Sequence, residues 1–168
     1  MHIDHVAHPW HATVVNTARP YPADKLPTSL GGEVTKSVHV VGGVIVRDGR
    51  VLCAQRGASR TLGGKWEFPG GKVELGEGAT AALGREIREE LLCEVTVGEF
   101  IESTTHVYDF ASVTLDTYWC ELVSGEPVAT EHQHLCWLEP SQLGTLDWAP
   151  ADVPAVVRVR ESLRARAS

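Results

Sequence analysis

The sequence has no C-x-x-C pair, and its four cysteines, Cys53, Cys93, Cys120 and Cys136, stand far apart. That spacing argues against the common zinc and dithiol motifs and makes reduced thiols in the cytosol the plain reading, with two disulfides as the alternative. No apolar run is long enough to span a bilayer and no stretch resembles a signal peptide, so a cytoplasmic protein without membrane contact is expected. A dense Lys/Arg face is also missing. With a formal net charge of −7, capture of a DNA or RNA backbone is disfavoured. A small polyphosphate would meet the same repulsion unless a divalent cation stood between it and the protein carboxylates. No internal repeat is present.

What is present suits one packed domain: 168 residues, 43% of them hydrophobic and 22% charged. Residues 1–36 lack clear periodicity, contain Pro9, Pro20, Pro22 and Pro27, and read as a loosely ordered extension ahead of a domain spanning 37–168. Within the extension His2, His5, His8 and His11 recur every three positions. Such a tract could bind a transition metal, but Pro9 interrupts any helix that would align the rings, and an adventitious segment is the plainer reading.

From Ser37 a β-branched run reaches Asp48-Gly49 and resumes as Val51-Leu52-Cys53-Ala54, which predicts a hairpin with an Asp-Gly turn. A short strand Trp66-Glu67-Phe68 follows and is expected to stop at Pro69-Gly70-Gly71. Between Ala79 and Leu91 the apolar residues Leu83, Ile87 and Leu91 recur every four positions, the spacing of a helix, with Gly78 as a tolerable N-cap. Strands are expected over Cys93–Thr105, Ser112–Val123 and His134–Leu138, then a helical turn at Pro140–Leu143. Pro154 in the first turn and Asp152 as N-cap predict a last helix from Val153 to Arg166. Strands joined as hairpins and mixed with helices imply an α/β fold with a mixed sheet between helical layers.

On the predicted helix Glu86, Glu89 and Glu90 fall within an arc of about 100°. Like charges three and four residues apart oppose one another, and this helix has no lysine to offset them. Ala79 and Ala82 leave room beside the acids. Taken alone, this is also the pattern of a solvated acidic face paired with Arg85 and Arg88. The residues around it favour another reading. From Gly71 the chain reads GKVELGEGATAALGREIREELLC, which resembles the Nudix box, G-x5-E-x7-R-E-U-x-E-E-x-G-U, where U is a bulky aliphatic residue. Gly71, Glu77, Arg85, Glu86, Ile87, Glu89 and Glu90 all match.

The resemblance implies a Nudix-type α/β/α sandwich with a mixed β-sheet and a loop-helix-loop catalytic motif. By position it makes Glu86, Glu89 and Glu90 the ligands of Mg²⁺, with Mn²⁺ as a substitute. Gly70 adds its carbonyl oxygen, Arg85 orients the acids, and Gly71 and Glu77 are structural, Glu77 bracing the loop through Arg85. Leu92 departs from the pattern, which has glycine there, so the helix is expected to end differently.

Outside the box, GKWEFPGGK and TEHQHLCWLEPSQLGTLDWAPADVP resemble the MutT-like branch, which includes 8-oxo-dGTP diphosphatase and CTP pyrophosphohydrolase. The implied reaction is Mg²⁺-dependent hydrolysis of a nucleoside or deoxynucleoside triphosphate, oxidised or cytidine-type, to the monophosphate and pyrophosphate. By the same matching Glu131 is a further metal ligand or the general base, an alternative to Glu86, and Arg56 reaches the substrate. Asp152 reads the base: an ionised carboxylate only accepts hydrogen bonds, which suits the exocyclic amine of cytosine or adenine. Trp66 and Trp148 flank the base-reading segments, where an aromatic could stack on a base, and Trp66 is counted with Arg56 and Asp152 as substrate-binding, although core packing is the plainer role for each; Tyr108 is taken as a strand aromatic. The expected partner is a small nucleotide, with no polymeric nucleic acid, for a monomer or homodimer. Two other readings stay open: a Nudix hydrolase of ADP-ribose, dinucleotides or capped RNA, and a non-catalytic nucleotide sensor.

Overall fold

The computed structural model describes residues 36–167, so the histidine tract and the rest of the expected extension lie outside the described residues. Seven strands form one sheet: β1 (Ser37–Arg47), β2 (Arg50–Arg56), β3 (Trp66–Glu67), β4 (Gly70–Lys72), β5 (Glu94–Tyr108), β6 (Ala111–Ser124) and β7 (His132–Leu138). Two helices, α1 (Ala79–Leu91) and α2 (Val153–Ala167), and a 3-10 turn at Pro140–Thr145 complete the described chain. The sheet runs β3-β2-β1-β6-β5, with β4 on β1 and β7 on β2. It is mixed, because β1 and β6 run parallel over ten residue pairs while the other pairings are antiparallel.

The β1–β2 hairpin turns on Asp48 and Gly49, at φ 51° and 73°. Two positive φ values match the turn that follows the right-handed twist of paired strands, and the Asp-Gly sequence supplies them.

Alternation along β1 and β2 feeds two cores. Val41, Ile45 and Leu52 pack with Ala82, Leu83, Ile87 and Leu91 of α1 on one face. Val44, Val51 and Cys53 pack with Ala155, Val156 and Val159 of α2 on the other. The result is an α/β/α sandwich, as expected. Gly43 lets α1 come close: a β-carbon there would lie 2.9 Å from Ile87 Cδ1.

β4 was not expected. Pro69 does interrupt the strand, having no N–H to donate. Its carbonyl nevertheless accepts the Gly43 N–H at 2.8 Å, and Gly70–Lys72 pair with Gly42, Val41 and Val40. A β-carbon on Gly70 would collide with the Val41 carbonyl, so this tight pairing requires glycine.

Leu92 corrects the expectation of an altered helix exit. It adopts the left-handed conformation itself, φ 56° and ψ 32°, and its N–H donates to the Arg88 carbonyl. The exit is held from outside: Val128 N–H donates to the Leu91 carbonyl at 2.9 Å, and Thr130 Oγ1 donates to the Glu90 carbonyl at 2.6 Å. These bonds satisfy carbonyls that a helix end leaves bare and hold the chain in a turn that leucine alone disfavours.

Candidate active site

α1 begins without a side-chain cap, since Gly78 offers none. Its charged face is organised by Arg85. The guanidinium donates to both oxygens of Glu77 at 2.8 and 2.9 Å, to Glu86 Oε1 at 2.8 Å, to Glu89 Oε2 at 3.3 Å and to the Lys72 carbonyl at 3.1 Å. One side chain therefore binds the loop ahead of α1 to the acids on α1. Only a planar fork of five donors can do this. Bonding to Arg85, helped by the Glu74 N–H, holds the Glu77 carboxyl down at about 2. The Arg85 guanidinium is held more firmly charged in return, first by Glu77 and then by Glu86.

The three motif acids differ in setting. Glu86 and Glu90 are largely covered, at 14% and 15% side-chain exposure, while Glu89 is 59% exposed. Burial pushes the Glu90 carboxyl up to about 7; the neighbouring His132 opposes this, and Glu131 and Glu86 add repulsion. Carboxylates crowded in this way are short of positive charge. Among the described residues no three His, Cys, Asp or Glu side chains converge as a closed metal cage. Glu86 is turned to Arg85, Glu90 to His132, and Glu131 to Arg60. The donor chemistry is nevertheless that of Mg²⁺, which takes carboxylate and carbonyl oxygens, keeps several waters and is seldom caged by protein alone.

Beside this face opens a cavity of about 430 Å³, lined by Arg56, Glu67, Gly70, Gly71, Tyr108 and Asp152 among others. The acids and the cavity meet at Gly71, where any β-carbon would strike the Glu86 carboxylate. That contact places a motif acid beside the cavity lining, where a larger residue at position 71 would displace the Glu86 carboxylate.

Asp152 lies 5% exposed in the cavity wall. The sequence allows it two roles, N-cap of α2 and base reader. Its backbone carbonyl accepts the Val156 N–H, as the residue before a helix does, but its side-chain Oδ1 accepts the Phe68 N–H at 2.9 Å. Burial raises the Asp152 carboxyl well above the usual range, Glu67 adds to this, and the Phe68 bond and Arg56 oppose it. Arg56 reaches the cavity but is not free there. It donates to the Thr61 carbonyl at 2.8 Å and to Glu67 Oε2 at 2.5 Å.

Trp66, counted from the sequence among the substrate-binding residues, stands apart from this cavity. It does not line the cavity; its side chain packs against the core beneath α2 while its backbone bonds to Asp147 and Ala149. Trp148 lies in that core too, 4.8 Å from the Phe68 ring, with its indole N–H spent on the Leu143 carbonyl. Tyr108 closes β5 as expected, yet it also lines the cavity, accepting the Ala151 N–H on its hydroxyl at 3.1 Å.

Sequence reasoning passed over Glu67 and His132. The buried His132 ring sets Nε2 3.1 Å from Glu67 Oε1 and 3.9 Å from Glu90 Oε2. Glu67 stood in the quoted GKWEFPGGK segment, but its contact lies 65 residues away in sequence. All four cysteines are free. Burial raises the Cys53 thiol strongly and the Cys120 thiol to about 12, which keeps both protonated.

Among the described residues no helix is long and apolar enough to cross a membrane. The NUDIX domain model matches residues 40–157. A Mycobacterium tuberculosis (strain H37Rv) protein provisionally named 8-oxo-dGTP diphosphatase 2 is 45% identical over 116 residues, 67% of this chain and 81% of its own length. The CTP pyrophosphohydrolase of Escherichia coli K12 is 42% identical over 119 residues, 71% of this chain and 88% of its own. The solution structure of a MutT Nudix hydrolase from methicillin-resistant Staphylococcus aureus 252 superposes with a TM-score of 0.65 at 47% identity, covering 76% of this chain and 98% of that one. Motif, fold and relatives agree, and the chain belongs to the NUDIX domain family of pyrophosphohydrolases.

Proposed function

We propose that the chain hydrolyses nucleoside triphosphates to a nucleoside monophosphate and pyrophosphate in a Mg²⁺-dependent reaction, with Mn²⁺ as a substitute. The observation that carries this reading is the meeting of the acidic face of α1 with the cavity at Gly71 and Glu86. Nudix hydrolases are generally dependent on divalent metals. Here Glu86, Glu89, Glu90, the Gly70 carbonyl and Glu131 would hold the ion, whose chemistry is to neutralise phosphate charge and acidify a bound water.

The chain's own groups do the rest. Arg85 holds Glu86 and Glu89 in place through its guanidinium. Glu86 or Glu131 takes the proton from the attacking water. Glu131 is paired with Arg60, whose guanidinium also suits a phosphate oxygen. Arg56 sits on the cavity wall with its guanidinium positioned by Glu67 and Thr61.

Asp152 supports a preference among bases. Its carboxyl stands in the cavity wall with Oδ1 accepting from Phe68, and a carboxyl oxygen there can accept a hydrogen from a base. Cytosine presents its N4 amine beside the N3 acceptor, and 8-oxoguanine presents an N7 hydrogen beside the O6 acceptor. Guanine shows two acceptors on that edge and is the poorer fit. The names of the two relatives above fall on these two bases. Cytidine-type triphosphates lead, on the amine acceptance that Asp152 offers.

The test is a panel of normal and oxidised nucleotides, ADP-ribose and dinucleotides incubated with Mg²⁺, the products separated by chromatography. Monophosphate and pyrophosphate from CTP, dCTP or 8-oxo-dGTP are expected. Cleavage of ADP-ribose or dinucleotides alone would replace the substrate assignment, and no cleavage would favour a sensor.

A further inference from the structure

We propose that His132 is a positioning residue that ties the Arg56–Glu67 wall of the cavity to Glu90 on α1, so that one buried imidazole sets both the nucleotide-contacting arginine and a metal carboxylate. The inference rests on the reading of α1 as a metal site.

The geometry is a chain of contacts through the protein. The His132 side chain is 4% exposed, and its Nε2 lies between two carboxylates, 3.1 Å from Glu67 Oε1 and 3.9 Å from Glu90 Oε2. An ionised carboxylate only accepts, so Nε2 carries the hydrogen and donates it to Glu67. The other oxygen of Glu67 accepts from Arg56, whose Nε is held by the Thr61 carbonyl. Each orientation in this row is therefore set by its neighbour. Arg56 and Glu67 line the cavity, while Glu90 stands on the helix that bears the acids.

Two features separate this histidine from one that merely fills space. Among the described residues its buried Nδ1 has no hydrogen-bond partner, so the ring is placed from its Nε2 edge, where Glu67 is bonded and Glu90 adjacent. The sheet also bends to deliver it. Pairing of β2 with β7 runs regularly to Gln55 opposite His134 and then slips, bringing His132 rather than Gln133 opposite Arg56. An extra residue in one strand re-aims the side chains beside it. Here the slip leaves Gln133 and His134 exposed and turns the His132 ring inward.

Residues that hold a metal ligand from behind change metal affinity by about 10–100-fold when removed. The test is Mn²⁺ titration of the full chain without nucleotide, followed by electron paramagnetic resonance, together with steady-state hydrolysis of CTP. His132→Ala is expected to weaken Mn²⁺ binding by at least about tenfold, and to lower kcat and raise KM together. His132→Gln, whose amide N–H can donate to Glu67, is expected to recover most of that loss. In the His132→Ala background Arg56→Ala is expected to cost at least about fivefold less in kcat/KM than in the wild type, because residues in one network do not add. Should His132→Ala not fold, His132→Asn replaces it, with a shorter amide that cannot reach both acids and the same losses expected.

Mn²⁺ affinity and kcat/KM within about twofold of wild type in a folded variant would overturn the inference. So would losses that multiply independently with Arg56→Ala. A wild-type chain that fails to bind Mn²⁺ removes the metal-site reading itself and this inference with it, an outcome distinct from wild-type binding that is indifferent to His132.

Discussion

Asp152 Oδ1 accepts the backbone N–H of Phe68 at 2.9 Å, joining the start of α2 to the strand-break that precedes the motif loop. The same carboxyl is buried and lies far above its usual range. A group that binds its proton more tightly when folded lowers stability as pH rises from its unfolded value, near 3.9, through its folded one. Asp152→Asn keeps an oxygen for Phe68 and has no charge to bury. The variant is therefore expected to be more stable than wild type at neutral pH, by about 1.4 kcal/mol for each unit of displacement, with the gain vanishing as pH falls towards about 4. Urea unfolding at several pH values measures it; a gain that persists unchanged at low pH would contradict this account. The same substitution should alter base preference across the nucleotide panel, and unchanged preference removes Asp152 as a base reader.

The Glu77–Arg85 pair behaves in the opposite sense. Glu77 is depressed to about 2 when folded, so its contribution is present above the ordinary carboxylate range and is lost as pH falls through about 2. Glu77→Gln should lower the unfolding temperature at pH 7 and leave it little changed near pH 2, followed by circular dichroism. Equal destabilisation at both ends would mean that the side chain acts by shape rather than charge.

Leu92 holds a left-handed conformation and is 60% exposed. Glycine would relieve a strain of about 1–2 kcal/mol, partly offset by about 0.5–1 kcal/mol of added backbone freedom when unfolded. Leu92→Gly is thus expected to raise stability by up to about 1.5 kcal/mol without changing kcat. Calorimetry showing a loss above about 1 kcal/mol would indicate that the leucine side chain contributes packing here.

The sequence was most legible where a residue's role depends on near neighbours. Leu83, Ile87 and Leu91 announced α1, and Asp48-Gly49 announced the hairpin, because helical period and turn chemistry are local. Gly71, Glu77 and Arg85 carried the motif by spacing alone, and the Glu77–Arg85 pair and the approach of Gly71 to Glu86 follow from a loop and a helix adjacent in the chain. What was not legible depends on pairing between distant segments. Gly70–Lys72 read as a strand stop because Pro69 and two glycines do break local structure, and only the groove beside Gly42 makes them a strand. Trp66 lay in the right segment but on the face that turns to α2. His132 is aimed by a slip in the β2–β7 register that no residue in its own neighbourhood signals. Leu92 violates the local rule for a helix exit because Val128 and Thr130 supply the missing bonds from beyond β6.

The central claim is that the covered acids of α1 are there for chemistry. Glu90→Gln tests it most directly, since the amide keeps the shape of a side chain only 15% exposed and removes its charge. Turnover of CTP with Mg²⁺ should fall by at least about 100-fold, while the unfolding temperature is unchanged or raised because a crowded buried charge is gone. Near-normal turnover, or lost turnover accompanied by a large fall in unfolding temperature, would contradict the account.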